Sequence, residues 1–195
     1  PETRSMRVLW LIEELGCPVE VITHDFGPAL HQPDYRALHP AGRVPALELD
    51  GQVILESGAM LELLCEMYPE GGMARMPGDP ERAAWLQWIH FAETISQHSA
   101  ALTQQHVALR EDWMRSPTVT KIEAKRLARC FATVEQALAG QDYLLATGFS
   151  AADIAVGQAV AMSRHFVALE GYPALSAWWA RIRARPAYAR AAPQP

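Results

Sequence analysis

The amino-acid sequence predicts an α/β layer followed by an all-helical domain, and three observations carry that prediction. The first seventy or so residues alternate helical and extended patterns. Pro69 to Pro80 then holds three prolines and three glycines, the composition of an interdomain linker. Beyond it only helical periodicity recurs.

Val8, Leu11, Ile12 and Leu15 recur at i, i+3, i+4 and i+7, which predicts an amphipathic helix over Ser5 to Leu15 that Gly16 and Pro18 terminate. Val19-Glu20-Val21-Ile22 alternates as a strand does, and a loop rich in Gly, Pro and His leads to a helical turn around Asp34 to Leu38. Pro45 to Leu49 and Gln52 to Leu55 flank Asp50-Gly51, a dipeptide that tolerates the positive φ angles of a two-residue hairpin turn. Ser57 is expected to cap a third helix whose face is Met60, Leu63, Leu64 and Met67.

After the linker, Asp79-Pro80-Glu81 supplies a cap and a first-turn proline for a long helix lined by Trp85, Trp88, Ile89 and Ala92. Leu127, Cys130, Phe131 and Val134 line another. Ala151 to Met162 is apolar almost all round, so it belongs at the centre of a helical domain. Leu175, Trp178, Trp179 and Ile182 mark a final helix with one buried face. Ser150 and Asp153 have capping-box spacing, a structural signal.

Half of the 195 residues are apolar and a fifth are charged, with a net charge of −5. That balance describes a globular chain and argues against nucleic-acid binding, which needs a concentrated basic surface. Arg181, Arg183, Arg185 and Arg190 cluster near the C-terminus and are read as a solvated helix face. No apolar run reaches the length of a membrane span, and no secretory leader pattern opens the sequence, so a cytoplasmic location and no membrane partner are expected. The three cysteines, Cys17, Cys65 and Cys130, are widely spaced in apolar surroundings and read as reduced, buried thiols. His90, His98 and His106 are spaced too widely along one helix to share a metal, so no metal site is expected.

Thr3 to Gly16 resembles the opening helix of glutathione S-transferases, and His39-Pro40-Ala41-Gly42-Arg43-Val44-Pro45-Ala46-Leu47 resembles their cis-proline loop. Leu55-Glu56-Ser57-Gly58-Ala59 matches a third block, and Phe149 to Ala155 is similar to the family's helix-capping segment in the second domain. The four blocks come in order over nearly the whole chain.

The resemblance implies a thioredoxin-like, glutathione-holding domain over residues 1–72, a linker over 73–79 and an all-helical domain over 80–195. It also implies a cis Val44-Pro45 bond, with the Val44 backbone pairing to the cysteinyl unit of glutathione as an added strand would. Ser57 and the free amides of the helix it begins would receive the γ-glutamyl carboxylate, with Glu56 on the ligand's ammonium and Arg43 helping to hold the glycyl carboxylate. The family's thiolate-stabilising donor, a tyrosine, serine or cysteine, falls before helix one. Here Thr3 and Ser5 are the hydroxyls in that region, with Arg4 and Arg7 as electrostatic helpers, and Ser5 also reads as a helix cap. His98 or Gln105 is a candidate for the electrophile pocket.

The family's sheet places a strand between Val19–Thr23 and the hairpin, and no such strand precedes helix one. The sheet is therefore expected to carry an interior gap, and the native protein several more N-terminal residues. The implied activity is attack by glutathione thiolate, a co-substrate, on a hydrophobic electrophile, by a homodimer needing no other cofactor. A glutathione-dependent peroxidase or disulfide reductase, and a non-catalytic binding module of the same fold, are the alternatives.

Overall fold

The computed structural model describes residues 3–25 and 27–192; the outermost residues of the two expected domain ranges, 1–2 and 193–195, lie outside them. Helix α1 spans Ser5–Leu15, as its periodicity predicts, and ends on Gly16 in the left-handed region at φ 65°. A 3-10 turn, Pro28–His31, precedes α2, Pro33–Leu38. Strands β1 (Leu47–Leu49) and β2 (Gln52–Ile54) pair antiparallel, with Leu47 opposite Ile54. Asp50 and Gly51 turn between them at φ 50° and 76°, the positive-φ pair that a tight hairpin requires.

The strand expected over Val19 to Ile22 does not form. Residues 17–25 run without helix or ladder, and the hairpin is the only sheet among the described residues. A strand is defined by its partner, and neither this segment nor the β1 edge reaches the other. Between them lies a groove of about 710 Å³, floored by Val8 and Ile12 of α1 and walled by Val19–His24 and by Val44–Asp50. Val21 and Ile22 are left 55% and 71% exposed. The interior gap expected between two strands of one sheet does not arise, because one of them is not a strand; an open groove lies between that segment and the hairpin.

Helix α3, Ser57–Met67, buries Met60, Leu61, Leu64 and Cys65, a face rotated from the expected one, and Met67 is exposed. Ser57 is not its cap. It is the first helical residue, after an extended Glu56, and its hydroxyl points into the core.

Among the described residues five α-helices follow, with short 3-10 and π turns between them: α4 (Arg82–Thr103), α5 (Pro117–Ala137), α6 (Ala151–Ser163), α7 (Pro173–Arg183) and α8 (Pro186–Ala191). The last was not expected as a separate helix; Pro186 starts it within three residues of the end of α7. Helix α6 is buried on every side, as its composition predicts, and packs mainly on α4. Helix α1 lies against α3, α6 and α8, so one apolar core runs through both halves of the chain.

The C-terminal arginines are not simply a solvated face. Arg185 grips Glu14 of α1 through two bonds of 2.6 and 2.7 Å while lying 3.9 Å over the Phe149 ring, Arg190 pairs with Glu13, and Arg181 with Asp142. Cys17, Cys65 and Cys130 are free and buried, and desolvation pushes the Cys65 thiol up to about 12.

The capping box at α6 forms: Ala152 N–H donates to Ser150 Oγ at 3.3 Å and Ser150 N–H to Asp153 Oδ2 at 3.0 Å. The Asp153 carboxylate also accepts from Leu144 N–H at 3.0 Å and Trp178 Nε1 at 2.8 Å, so it ties three segments together inside the core. An orphaned buried donor costs about 1–3 kcal/mol. Asp153→Ala orphans three, and urea denaturation should show a loss of at least about 3 kcal/mol; an unchanged midpoint would contradict this role.

Candidate functional site

Thr3 and Ser5, at the start of α1, line the same groove as Val44 and Pro45. The expectation that Ser5 caps the helix is corrected here: Ser5 is already helical, Arg4 holds the cap position without a side-chain capping bond, and Thr3 Oγ1 accepts from Ser5 N–H at 3.3 Å. The positive end of α1 thus faces the groove with two hydroxyls on it.

The Val44-Pro45 peptide bond is cis. The loop before it is held from two sides. Gly42 sits at φ 60°, and a Cβ there would come within 2.7 Å of the Leu30 carbonyl oxygen and 2.8 Å of His31 Nδ1, so only glycine fits. Tyr35, a buried residue of α2, donates its hydroxyl to the Arg43 carbonyl at 2.6 Å, and burial pushes its phenol up from the ordinary value. It is therefore the Arg43 backbone that is anchored, while the residue itself is exposed.

Glu56 and Ser57 sit at the start of α3, whose first amides have no acceptors within the helix. Glu56 is exposed and lines a second cleft with Gly58, Glu62, His90 and Glu93, separate from the groove that holds Thr3 and Val44. Ser57, only 4% exposed, lies deeper and accepts from Arg7 Nη1 at 3.4 Å.

Arg7 is fully buried. Its Nε and Nη2 donate to Gln158 Oε1 at 2.9 and 2.7 Å, and Nη2 also to Ser96 Oγ at 3.4 Å. Its Nη1 meets Glu93 Oε1 at 2.5 Å, and the same carboxylate takes Arg4 Nε at 2.9 Å. Desolvation lowers the Arg7 guanidinium from its ordinary value, opposed by the Glu93 carboxylate. Arg7 is thus more than an electrostatic helper, and the partners Gln158, Ser96 and Glu93 were not anticipated. One sign of them was legible: a lone amide in the middle of the apolar α6 needs a polar partner from whatever packs on it.

His98 and Gln105 line neither cleft. His98 Nδ1 lies 2.6 Å from Glu123 Oε2 between α4 and α5, where it holds the Glu123 carboxyl below its ordinary range, and Gln105 Oε1 accepts from Ser116 N–H at 2.7 Å, at the start of α5. His90 pairs with Glu62 and His106 stacks on Phe166, so the three histidines face different partners.

Residues 4–72 match the family model for the glutathione S-transferase N-terminal domain, and residues 98–186 that for the C-terminal domain. The glutathione S-transferase-like protein OpS6 of Beauveria bassiana (strain ARSEF 2860) is 30% identical over 192 residues, 93% of this chain and 86% of its own length. The chain belongs to the glutathione S-transferase family. Its two halves are accordingly the family's thioredoxin-like N-terminal domain, here with a small sheet, and its helical C-terminal domain.

Other relatives of this glutathione S-transferase family member differ in what they do. Glutathione S-transferase 3 of Zea mays is 28% identical over 190 residues, 94% of this chain and 86% of its own. The disulfide-bond oxidoreductase YfcG of Escherichia coli (strain K12) is 27% identical over 200 residues, 98% and 91% respectively. Among solved structures, glutathione transferase URE2P8 from Phanerochaete chrysosporium, crystallised with oxidized glutathione, superposes with a TM-score of 0.87 at 26% identity, covering 97% of this chain and 89% of that one.

The Tyr35 anchor is directly testable. Tyr35→Phe leaves the Arg43 carbonyl without its donor and should lower stability by about 1 kcal/mol in a thermal melt; no change would show that the loop is held without this bond.

Proposed function

We propose that this chain is a glutathione transferase that conjugates the thiolate of glutathione to a hydrophobic electrophile. The observation that carries the reading is the convergence on one groove of Thr3, Ser5, the α1 N-terminus and Val44, while Arg7 of the same helix bonds Ser57 at the start of α3. In this reading residues 1–72 hold glutathione, residues 73–79 link, and residues 80–195 shape the electrophile site.

Val44 pairs with the cysteinyl backbone, Ser57 and the first amides of α3 receive the γ-glutamyl carboxylate, Glu56 faces the ammonium, and Arg43 assists at the glycyl carboxylate. The sulfur then lies at the positive end of α1, where the Thr3 or Ser5 hydroxyl donates to the anion. A free thiol titrates near ~8.5, so a donor and a helix end that lower it by one to two units make the thiolate the main species near neutrality. The thiolate attacks the electrophilic carbon, the leaving group departs with its electron pair, and the thiol proton has already gone to solvent. The reading extends to a cytoplasmic homodimer in a detoxifying role.

Calorimetric titration of glutathione into the wild type should show saturable binding, weakened at least about tenfold in Glu56→Ala/Ser57→Ala. Turnover of an aryl halide should rise with pH through a midpoint one to two units below the free thiol's ~8.5. Binding without turnover of an aryl halide, a disulfide or a peroxide would mark a binding module, and turnover of only the last two a reductase or peroxidase.

A further inference from the structure

We infer that Gln158 and Arg7 are positioning residues that join both ends of the glutathione site to the helical domain, Gln158 through the Thr3 backbone and Arg7 through the Ser57 hydroxyl. The inference rests on the glutathione reading above.

Between Asp153 near its start and Ser163 at its end, helix α6 is buried and apolar apart from Gln158, so an amide at its centre must be satisfied by what packs against it. Gln158 is wholly buried, and its two ends do different work. Its oxygen accepts from Arg7 Nε and Nη2, while its Nε2 donates to the Thr3 carbonyl at 3.1 Å. A primary amide carries a strong acceptor and a strong donor on one rigid tip, which is what a cation on one side and a carbonyl on the other require.

From Gln158 the bonds run both ways. Arg7 passes to Ser57 Oγ and to Glu93, and Glu93 returns to Arg4, the residue next to Thr3. The result is a closed ring, Thr3–Gln158–Arg7–Glu93–Arg4, with Ser57 as its branch. The groove end that presents the Thr3 hydroxyl and the helix end that presents Ser57 are therefore set by the same buried guanidinium and by a residue of the other domain. A displacement of about 1 Å in such a group is enough to cost on the order of a hundredfold in rate.

Gln158→Glu separates the two functions. The carboxylate still accepts from Arg7 and keeps the cation paired, while the N–H that holds Thr3 is replaced by an oxygen facing a carbonyl oxygen. The ultraviolet absorbance of the bound glutathione thiolate, followed against pH, should titrate with a raised midpoint. The kcat for aryl halide conjugation should fall at least about tenfold, and the KM for glutathione should stay within about twofold. Gln158→Met, of similar length but with neither donor nor acceptor, should lower kcat and raise the glutathione KM together, because Arg7 also loses its partner. A folded Gln158→Glu protein with an unchanged midpoint and kcat would overturn the inference. If that variant does not fold, a folded Gln158→Met protein with both constants unchanged would overturn it as well. Wild type that fails to bind glutathione at all would contradict the underlying reading, and the inference with it.

Discussion

The buried guanidinium of Arg7 organises the junction between the two halves of this protein. Arg7 carries a guanidinium with no exposed surface at the junction of α1, α3, α4 and α6. Desolvating such a group is expensive, and the expense is offset only when every donor finds an acceptor and one of them is ionised. Glu93 supplies the counter-charge, Gln158 Oε1 accepts from two of the donors, and Ser57 and Ser96 take the remaining ones. Removing Glu93 would leave the Arg7 charge in low dielectric without its counter-ion, whereas the half-exposed Glu93 carboxylate would still be solvated if Arg7 were lost. The placement of α1 against the helical domain and the orientation of Ser57 are therefore consequences of one electrostatic requirement.

This explains how a two-stranded sheet can support a site. A hairpin alone is marginal in water, and here the extended segment 17–25 gives it no ladder. The N-terminal half is held instead from its helices. Helices α1 and α3 share the core of α6, and Arg185 and Arg190 clamp Glu14 and Glu13 on the outer side of α1. The buried charge-assisted hydrogen bonds of this half are concentrated where α1 and α3 begin, and the sheet side of the same domain is left as an open groove.

Much of this was legible in the sequence, for identifiable reasons. Helix α1 and the Ser150–Asp153 box depend on residues a few positions apart, and the Asp50-Gly51 turn on two adjacent ones, so local pattern suffices. The segment Val19 to Ile22 alternates correctly and still forms no strand, because a strand's existence depends on a neighbour that local sequence does not contain. Ser57 has the composition of a cap, but its hydroxyl is turned inward by Arg7, fifty residues earlier. Spacing alone read Arg185 as solvated, whereas its partner Glu14 is a residue of the first helix. Four of the candidate site residues, Thr3, Ser5, Val44 and Pro45, meet in one groove; Glu56 opens on a neighbouring cleft and Ser57 lies beneath, a division that sequence order could not reveal.

The most direct test of the central claim, that Arg7 sets the two helix ends proposed to hold glutathione, is a crystal structure of the protein with glutathione bound. The account predicts the γ-glutamyl carboxylate within hydrogen-bond distance of the Ser57 hydroxyl and the first amides of α3, the cysteinyl backbone against Val44, and Arg7 still enclosed by Gln158 and Glu93. Glutathione held away from α3, or Arg7 swung out of the core to meet the ligand itself, would contradict it.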